Sequence, residues 1–188
     1  MGKMINGLEY SIHADVFLPA GVRMLHVRPS GIGSRYTHPT GIEAVERAQA
    51  TLHANPNDEV AYEDLACAYI SQSAYCLLRD DSNGTYAALI AALDTLELME
   101  SQLGEVSTRT LVIAAALRYN STIHASRGGA SDLALDQAER MLNYLITAYP
   151  YERDGPLFQS VRDDALTLVT RDYAENVTLR RLARQVRL

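Results

Sequence analysis

The sequence has no tryptophan, only two phenylalanines, and a single lysine beside 16 arginines. It also lacks an uninterrupted apolar run of about 20 residues, the length that a membrane-spanning helix needs. Residues 1–25 hold Glu9 and Asp15 among scattered apolar residues, which is not the pattern of a secretory signal. We therefore expect a cytoplasmic protein that does not act on a membrane.

Cysteine is scarce, with only Cys67 and Cys76. Nine residues of helix make two and a half turns, so the two thiols point to opposite sides and do not bridge within one helix. None of the five histidines has a second histidine or cysteine at metal-binding spacing within one helix. We expect buried, unreactive thiols, no metal and no cofactor.

Motifs of catalysis are missing as well. There is no Gly-x-Ser-x-Gly elbow and no Walker loop. The carboxylate pairs Asp80–Asp81 and Asp163–Asp164 are chain neighbours, and neighbouring helix positions diverge by about 100°. We expect no catalytic residue, and a small helical enzyme is kept as an alternative.

The 188 residues are 47% hydrophobic and 21% charged, which is typical of a folded globular protein. The net charge of −6 is uneven, because residues 41–170 hold 19 acidic residues against 8 arginines, whereas residues 1–40 and 171–188 are net positive. An acidic body is poorly suited to wrapping nucleic acid.

Helical signals dominate from residue 40 onward. Thr40 with Glu43 forms a capping box, and Asn55, Ser107 and Ser131 are typical N-caps. They predict helices over about 41–54, 55–79, 85–103, 107–127, 131–149 and 156–188, the last one continuous or broken near Asn176. The fold class is all-α, with six or seven antiparallel helices in a bundle or a helical-repeat array over residues 41–188.

Residues 1–40 differ from the rest and predict an extended arm or a short β element. Apolar segments at 16–18 and 22–27 flank a turn, and such an arm can pair with a second copy in a homodimer. Arg28, Arg35 and His38 surround a glycine-rich loop and form a candidate anion-binding group. The loop lacks the third glycine of a dinucleotide fingerprint, because Tyr36 stands there.

Three segments, covering about half of the chain, resemble tetratricopeptide-type helical repeats. Two segments resemble the second helix of that repeat: one through Ala138, Leu142, Leu145 and Pro150, and one through Ala44, Ala48 and Pro56. The latter segment has Thr51 where the family has an apolar residue. A third segment resembles the first helix of the repeat, through Tyr62, Leu65, Ala66 and Tyr69. The resemblance implies a concave surface that receives a peptide or helix from a partner protein.

Tyrosine is the abundant aromatic residue, with 11 copies. Tyr62 and Tyr69 are seven residues apart and share a helix face, and tyrosine combines a large contact area with a polar tip. We predict that this pair contacts a partner.

The last residues form a basic amphipathic helix. Leu179, Leu182 and Val186 make one stripe, and the other side carries Arg180, Arg181, Arg184 and Arg187. Such a helix enters a partner's groove, contacts nucleic acid, or docks on an acidic body with its arginines near the negative end of the helix dipole.

These observations favour a non-catalytic intracellular module for protein–protein interaction: an adaptor, a chaperone or a regulatory subunit, for example of a bacterial secretion or regulatory system. The first alternative is a nucleic-acid-associated regulator that uses the basic C-terminal helix.

Overall fold

The computed structural model describes residues 9–13, 17–18, 22–23, 26–30 and 41–187. This part of the chain contains seven helices: α1 (Gly41–Ala54), α2 (Glu59–Leu78), α3 (Ser82–Leu103), α4 (Thr108–Arg127), α5 (Ser131–Glu152), α6 (Pro156–Asp172) and α7 (Val177–Val186). The predicted helical class is confirmed. The chain divides into two compact units, Met1–Val106 and Ser107–Leu188. Whether residues 41–188 form one domain stays a prediction.

Four short strands precede the helices: β1 (Glu9–His13), β2 (Phe17–Leu18), β3 (Val22–Arg23) and β4 (His26–Ser30). β1 pairs antiparallel with β4, and β2 pairs antiparallel with β3. β4 lies against α2. Most of residues 1–40 falls outside the described part, so the choice between an extended arm and a β element stays a prediction.

In the first unit, α1 packs on α2 through small and branched side chains. Val45 is buried against Leu65 and Ala68, with Ala48 beside them. Small residues allow the two helices to approach closely. The helix has the predicted bounds, 41–54.

The second helix begins later than predicted. Asn55 was expected to cap it, but residues 56–57 form a turn and Asp58 is the N-cap. The Asp58 carboxylate accepts a hydrogen bond from the Val60 N–H at 3.0 Å. Asn55 and Asp58 are both residue types that favour the N-cap position, and in the structure it is Asp58 that accepts from an N–H in the first turn of α2.

The predicted loop over residues 80–84 is also shorter than expected, because α3 begins at Ser82. Asp81 caps it by accepting from the Gly84 N–H at 2.8 Å. A Cβ at position 84 would lie 2.1 Å from Asp81 Oδ2, so the cap needs glycine there. Because α2 and α3 pack together across a connection of only three residues, they run antiparallel.

In the second unit, α4 is the central helix. Ser107 is its N-cap, as predicted, and accepts from the Thr110 N–H at 3.4 Å. Residues 112–120 are all buried, in keeping with a segment that is apolar throughout from 111 to 117. Arg118 is among them at 8% exposure, and its Nη1 donates to Gln137 Oε1 of α5 at 2.8 Å.

Two further helices pack on this centre. α5 passes through Pro150, which was expected to end it, and stops at Glu152, so the proline lies in the last turn. Pro156 occupies the first position of α6, where its missing N–H removes no helical hydrogen bond. Phe158 of α6 is 1% exposed and meets Tyr149 edge to face, with ring centroids 6.0 Å apart.

Candidate functional site

The C-terminal segment breaks at Asn176 and restarts as the separate helix α7. Asn176 Oδ1 accepts a hydrogen bond from the Leu179 N–H at 2.9 Å. The predicted apolar stripe is confirmed, since Leu179, Leu182 and Val186 are buried where α7 packs on α5 and α6. The apolar side therefore fixes the helix, and the arginines lie on its remaining surface.

A groove lies beside α7, at the C-terminal end of α6. We call it the arginine groove; its volume is about 340 Å³, and its lining residues are Val169, Thr170, Ala174, Arg180, Ala183, Arg184 and Arg187. Three cationic side chains thus surround a floor made of small and branched apolar residues. The sequence indicated the arginines but not the floor, because Val169, Thr170 and Ala174 come from α6 and the turn after it.

Helix geometry explains why three of the four predicted arginines meet. Arg180, Arg184 and Arg187 follow one another at intervals of four and three residues, so they share one side of the helix. Arg187 Nη2 also donates to Thr170 Oγ1 at 3.3 Å, which joins α7 to α6 across the groove. Arg181 is rotated by about 100° from Arg180 and is exposed outside the groove.

Four other arginines of this unit have carboxylate partners, whereas the exposed Arg127 and Arg181 have none among the described residues. The ion pairs are Arg140–Asp136 at 2.9 Å, Arg153–Asp154 at 3.6 Å, Arg162–Asp163 at 2.8 Å and Arg171–Asp172. The hydrogen bond to Asp172 raises the pKa of the Arg171 guanidinium above its usual value. Within the described residues, by contrast, no carboxylate pairs with the three arginines of the groove.

The first unit carries a net negative charge, and the second unit, which holds the groove, carries a net positive charge. Residues 1–106 hold 14 acidic residues, 5 arginines and one lysine, whereas residues 107–188 hold 9 acidic residues and 11 arginines. Arg184 lies in the last turn of α7, where the helix dipole favours a cation. Arg180 lies nearer the middle, so the dipole alone does not account for the whole set.

The tyrosine prediction needs a correction. Tyr62 is 4% exposed, and its hydroxyl donates to the Pro56 carbonyl oxygen at 3.1 Å, so it is a core residue. Tyr69 is half-buried on the α1–α2 interface, where its hydroxyl accepts from Gln49 Nε2 at 2.8 Å. Tyr86 of α3, by contrast, is 58% exposed.

The candidate anion-binding group in the N-terminal region has no described geometry. Arg28 lies in β4, and Arg35 and His38 lie outside the described residues. Their role stays a prediction.

The two carboxylate pairs have separate structural roles. Asp81 is occupied as the cap of α3, and Asp163 accepts two hydrogen bonds from the Arg162 guanidinium at 2.8 and 2.9 Å. Cys67 is buried, and Cys76 is half-buried. Burial, and secondarily the charge of Asp81, raise the pKa of the Cys76 thiol, which lowers its thiolate fraction at neutral pH.

Over the described ranges, no helix is both long and apolar enough to cross a membrane, and no cluster of three or more His, Cys, Asp or Glu side chains could hold a metal ion. Comparison of the chain with protein-family models, curated proteins and solved structures finds no match.

Proposed function

We propose that the protein is a non-catalytic module that binds another protein through the arginine groove, as an adaptor, a chaperone or a regulatory subunit. The observation that carries the proposal is the set of three arginines without carboxylate partners in the described chain, held on a helix whose other side is buried. Charged groups on a rigid element steer association, and the backbone that carries them needs no further ordering on binding.

The nucleic-acid alternative uses the same arginines. The groove spans only a few side chains, whereas a duplex presents one phosphate charge per about 1.7 Å along its axis. The net charge of −6 over the whole chain opposes the approach of such a polyanion. A protein segment with a few carboxylates meets less repulsion, and we therefore favour a protein partner.

Three further features belong to the proposal. Burial of Ala138, Leu142 and Leu145 agrees with the packing that a tetratricopeptide-type repeat requires, and equally with a bundle. The N-terminal arm is proposed as a homodimer contact. The proposed site of action is the cytoplasm, for example in a bacterial secretion or regulatory system.

Affinity co-purification from the native host, with and without nuclease, tests the function. The bait is the wild-type protein, and the variant is the triple change Arg180→Gln, Arg184→Gln and Arg187→Gln. Arg181→Gln is the matched control, because it removes a neighbouring charge outside the groove. We expect both the wild type and the Arg181→Gln control to retain one protein in stoichiometric amount after nuclease treatment.

Loss of the bound material on nuclease treatment would favour the nucleic-acid regulator. A bound metal or cofactor in the purified protein would favour the small helical enzyme. Recovery of no protein at all would contradict the proposed function.

A further inference from the structure

We infer that the arginine groove is the docking site of an acidic helical segment, one that presents two carboxylates a single helical turn apart with an apolar side chain beside them. This inference rests on the proposed function, which names a protein partner, and adds the chemistry by which that partner is recognised.

The spacing of the cations sets the spacing of the anions. Arg180 and Arg184 are four residues apart on α7, a separation at which side chains on one helix face are neighbours about 6 Å apart. Two acidic residues at the same interval on a partner helix have the same separation. Each guanidinium can then bind one carboxylate through two parallel N–H···O bonds.

Repulsion within the groove favours an anionic occupant. Like charges one turn apart destabilise a helix, and in the described structure no carboxylate offsets the charges of Arg180 and Arg184. Ion pairing with a ligand removes that repulsion. The third cation, Arg187, is already oriented by its hydrogen bond to Thr170.

The floor distinguishes a peptide from a bare phosphate. Val169, Ala174 and Ala183 offer carbon atoms rather than hydrogen-bond donors. Val169 and Ala183 are themselves buried, at 2% and 5% exposure, whereas Ala174 is exposed. An apolar side chain between the two carboxylates would cover Ala174 and the carbon stems of the arginines. A free phosphate would leave that surface in water.

The groove is also preorganised. The Asn176 cap and the buried side of α7 fix the backbone that carries the arginines. A ligand therefore has to order the side chains of Arg180 and Arg184 but not the backbone, which limits the entropy lost on binding.

The test uses the full-length protein and a fluorescein-labelled, alanine-based helical peptide with two glutamates four residues apart and a leucine beside them. The matched peptide has glutamine in place of both glutamates. Fluorescence anisotropy is measured at low and at moderate salt. We expect the glutamate peptide to bind with a Kd below about 1 mM at low salt and at least about tenfold more tightly than the glutamine peptide.

The protein variants locate the binding. Arg180→Gln with Arg184→Gln should weaken binding of the glutamate peptide at least about tenfold, and Arg181→Gln should change it less than about threefold. Circular dichroism verifies that each variant keeps the helical content of the wild type. Equal losses in the Arg181 variant would overturn the inference, as would equal binding of both peptides or no binding of either.

Two competitors cover other occupants. A single-stranded oligonucleotide or inorganic pyrophosphate that displaces the peptide at lower concentration than the unlabelled peptide itself would overturn the inference. So would concentration-dependent self-association that the arginine changes abolish, because the occupant would then be a second copy. If the triple variant still co-purifies the native partner, this inference fails and so does the groove as the binding surface, while the role of the protein as a protein-binding module stands.

Discussion

The replacement Asn176→Ala tests whether the separate helix α7 is held by its cap. The side chain supplies the Oδ1 that accepts the Leu179 N–H at 2.9 Å. Alanine cannot accept that bond, and loss of an asparagine N-cap costs about 1 kcal/mol. A helix of ten residues is too short to be stable alone, so the cost acts on the docking of α7.

The expected size follows from that figure. A change of about 1 kcal/mol shifts the equilibrium between docked and open α7 roughly fivefold. Hydrogen exchange of the Leu182 and Ala183 amides, which lie inside α7 and away from the cap, should accelerate by about that factor where α7 opens without global unfolding. If α7 unfolds with the rest of its unit, Ser107–Leu188, the melting temperature should fall by about 4–8 °C, as expected for a unit of that size.

Asn176→Asp is the control, because aspartate keeps the acceptor and places a negative charge at the helix N-terminus, where the dipole favours it. Exchange is followed by mass spectrometry or NMR, and melting by far-ultraviolet circular dichroism. If Asn176→Ala matches the wild type in both measurements, the cap does not hold α7 and the argument for a preorganised groove is refuted.

Three other changes probe the core and the titratable groups. Phe158→Ala removes a ring that is 1% exposed and should lower the free energy of unfolding by about 3–5 kcal/mol, with Phe158→Leu costing clearly less; urea denaturation that separates neither variant from wild type would contradict this. Burial lowers the pKa of His124, so the unfolded chain takes up its proton first as the pH falls below about 6.5. His124→Gln should therefore lose less stability than wild type between about pH 8 and pH 5, and a parallel loss in both proteins would refute that. Because burial and Asp81 raise the pKa of Cys76, we expect slow alkylation at neutral pH, none at Cys67, and faster labelling of Cys76 in Asp81→Asn; an unchanged rate in that variant would remove the electrostatic contribution.

Local signals in the sequence predicted much of the helical pattern. Ser107 and Asn176 are caps whose side chains bond the next turn, and the Gly155–Pro156 step starts a helix by backbone chemistry alone. Where two local signals competed, the sequence did not decide. Asn55 and Asp58 are both good caps, and the turn at residues 56–57 leaves the role to Asp58.

The candidate site was predictable only in part. The helical periodicity of the sequence predicted the basic side of α7. Periodicity alone did not separate Arg181 from the other three arginines. That separation depends on where α6 ends, since Thr170 and Ala174 lie beside one flank of α7. Tyr62 is buried and Tyr86 is exposed because of how the helices pack on one another. The position of an aromatic residue on an amphipathic helix face does not predict that packing.

The buried side of α7 determines how the C-terminus can be manipulated. A chain terminated before residue 177 would lose four arginines, but it would also uncover the apolar surfaces of α5 and α6 on which Leu179, Leu182 and Val186 rest. Such a product would tend to aggregate or be degraded. A frameshift or nonsense change late in the coding sequence would therefore lower the amount of protein in the cell, and its phenotype would report on protein abundance as well as on binding.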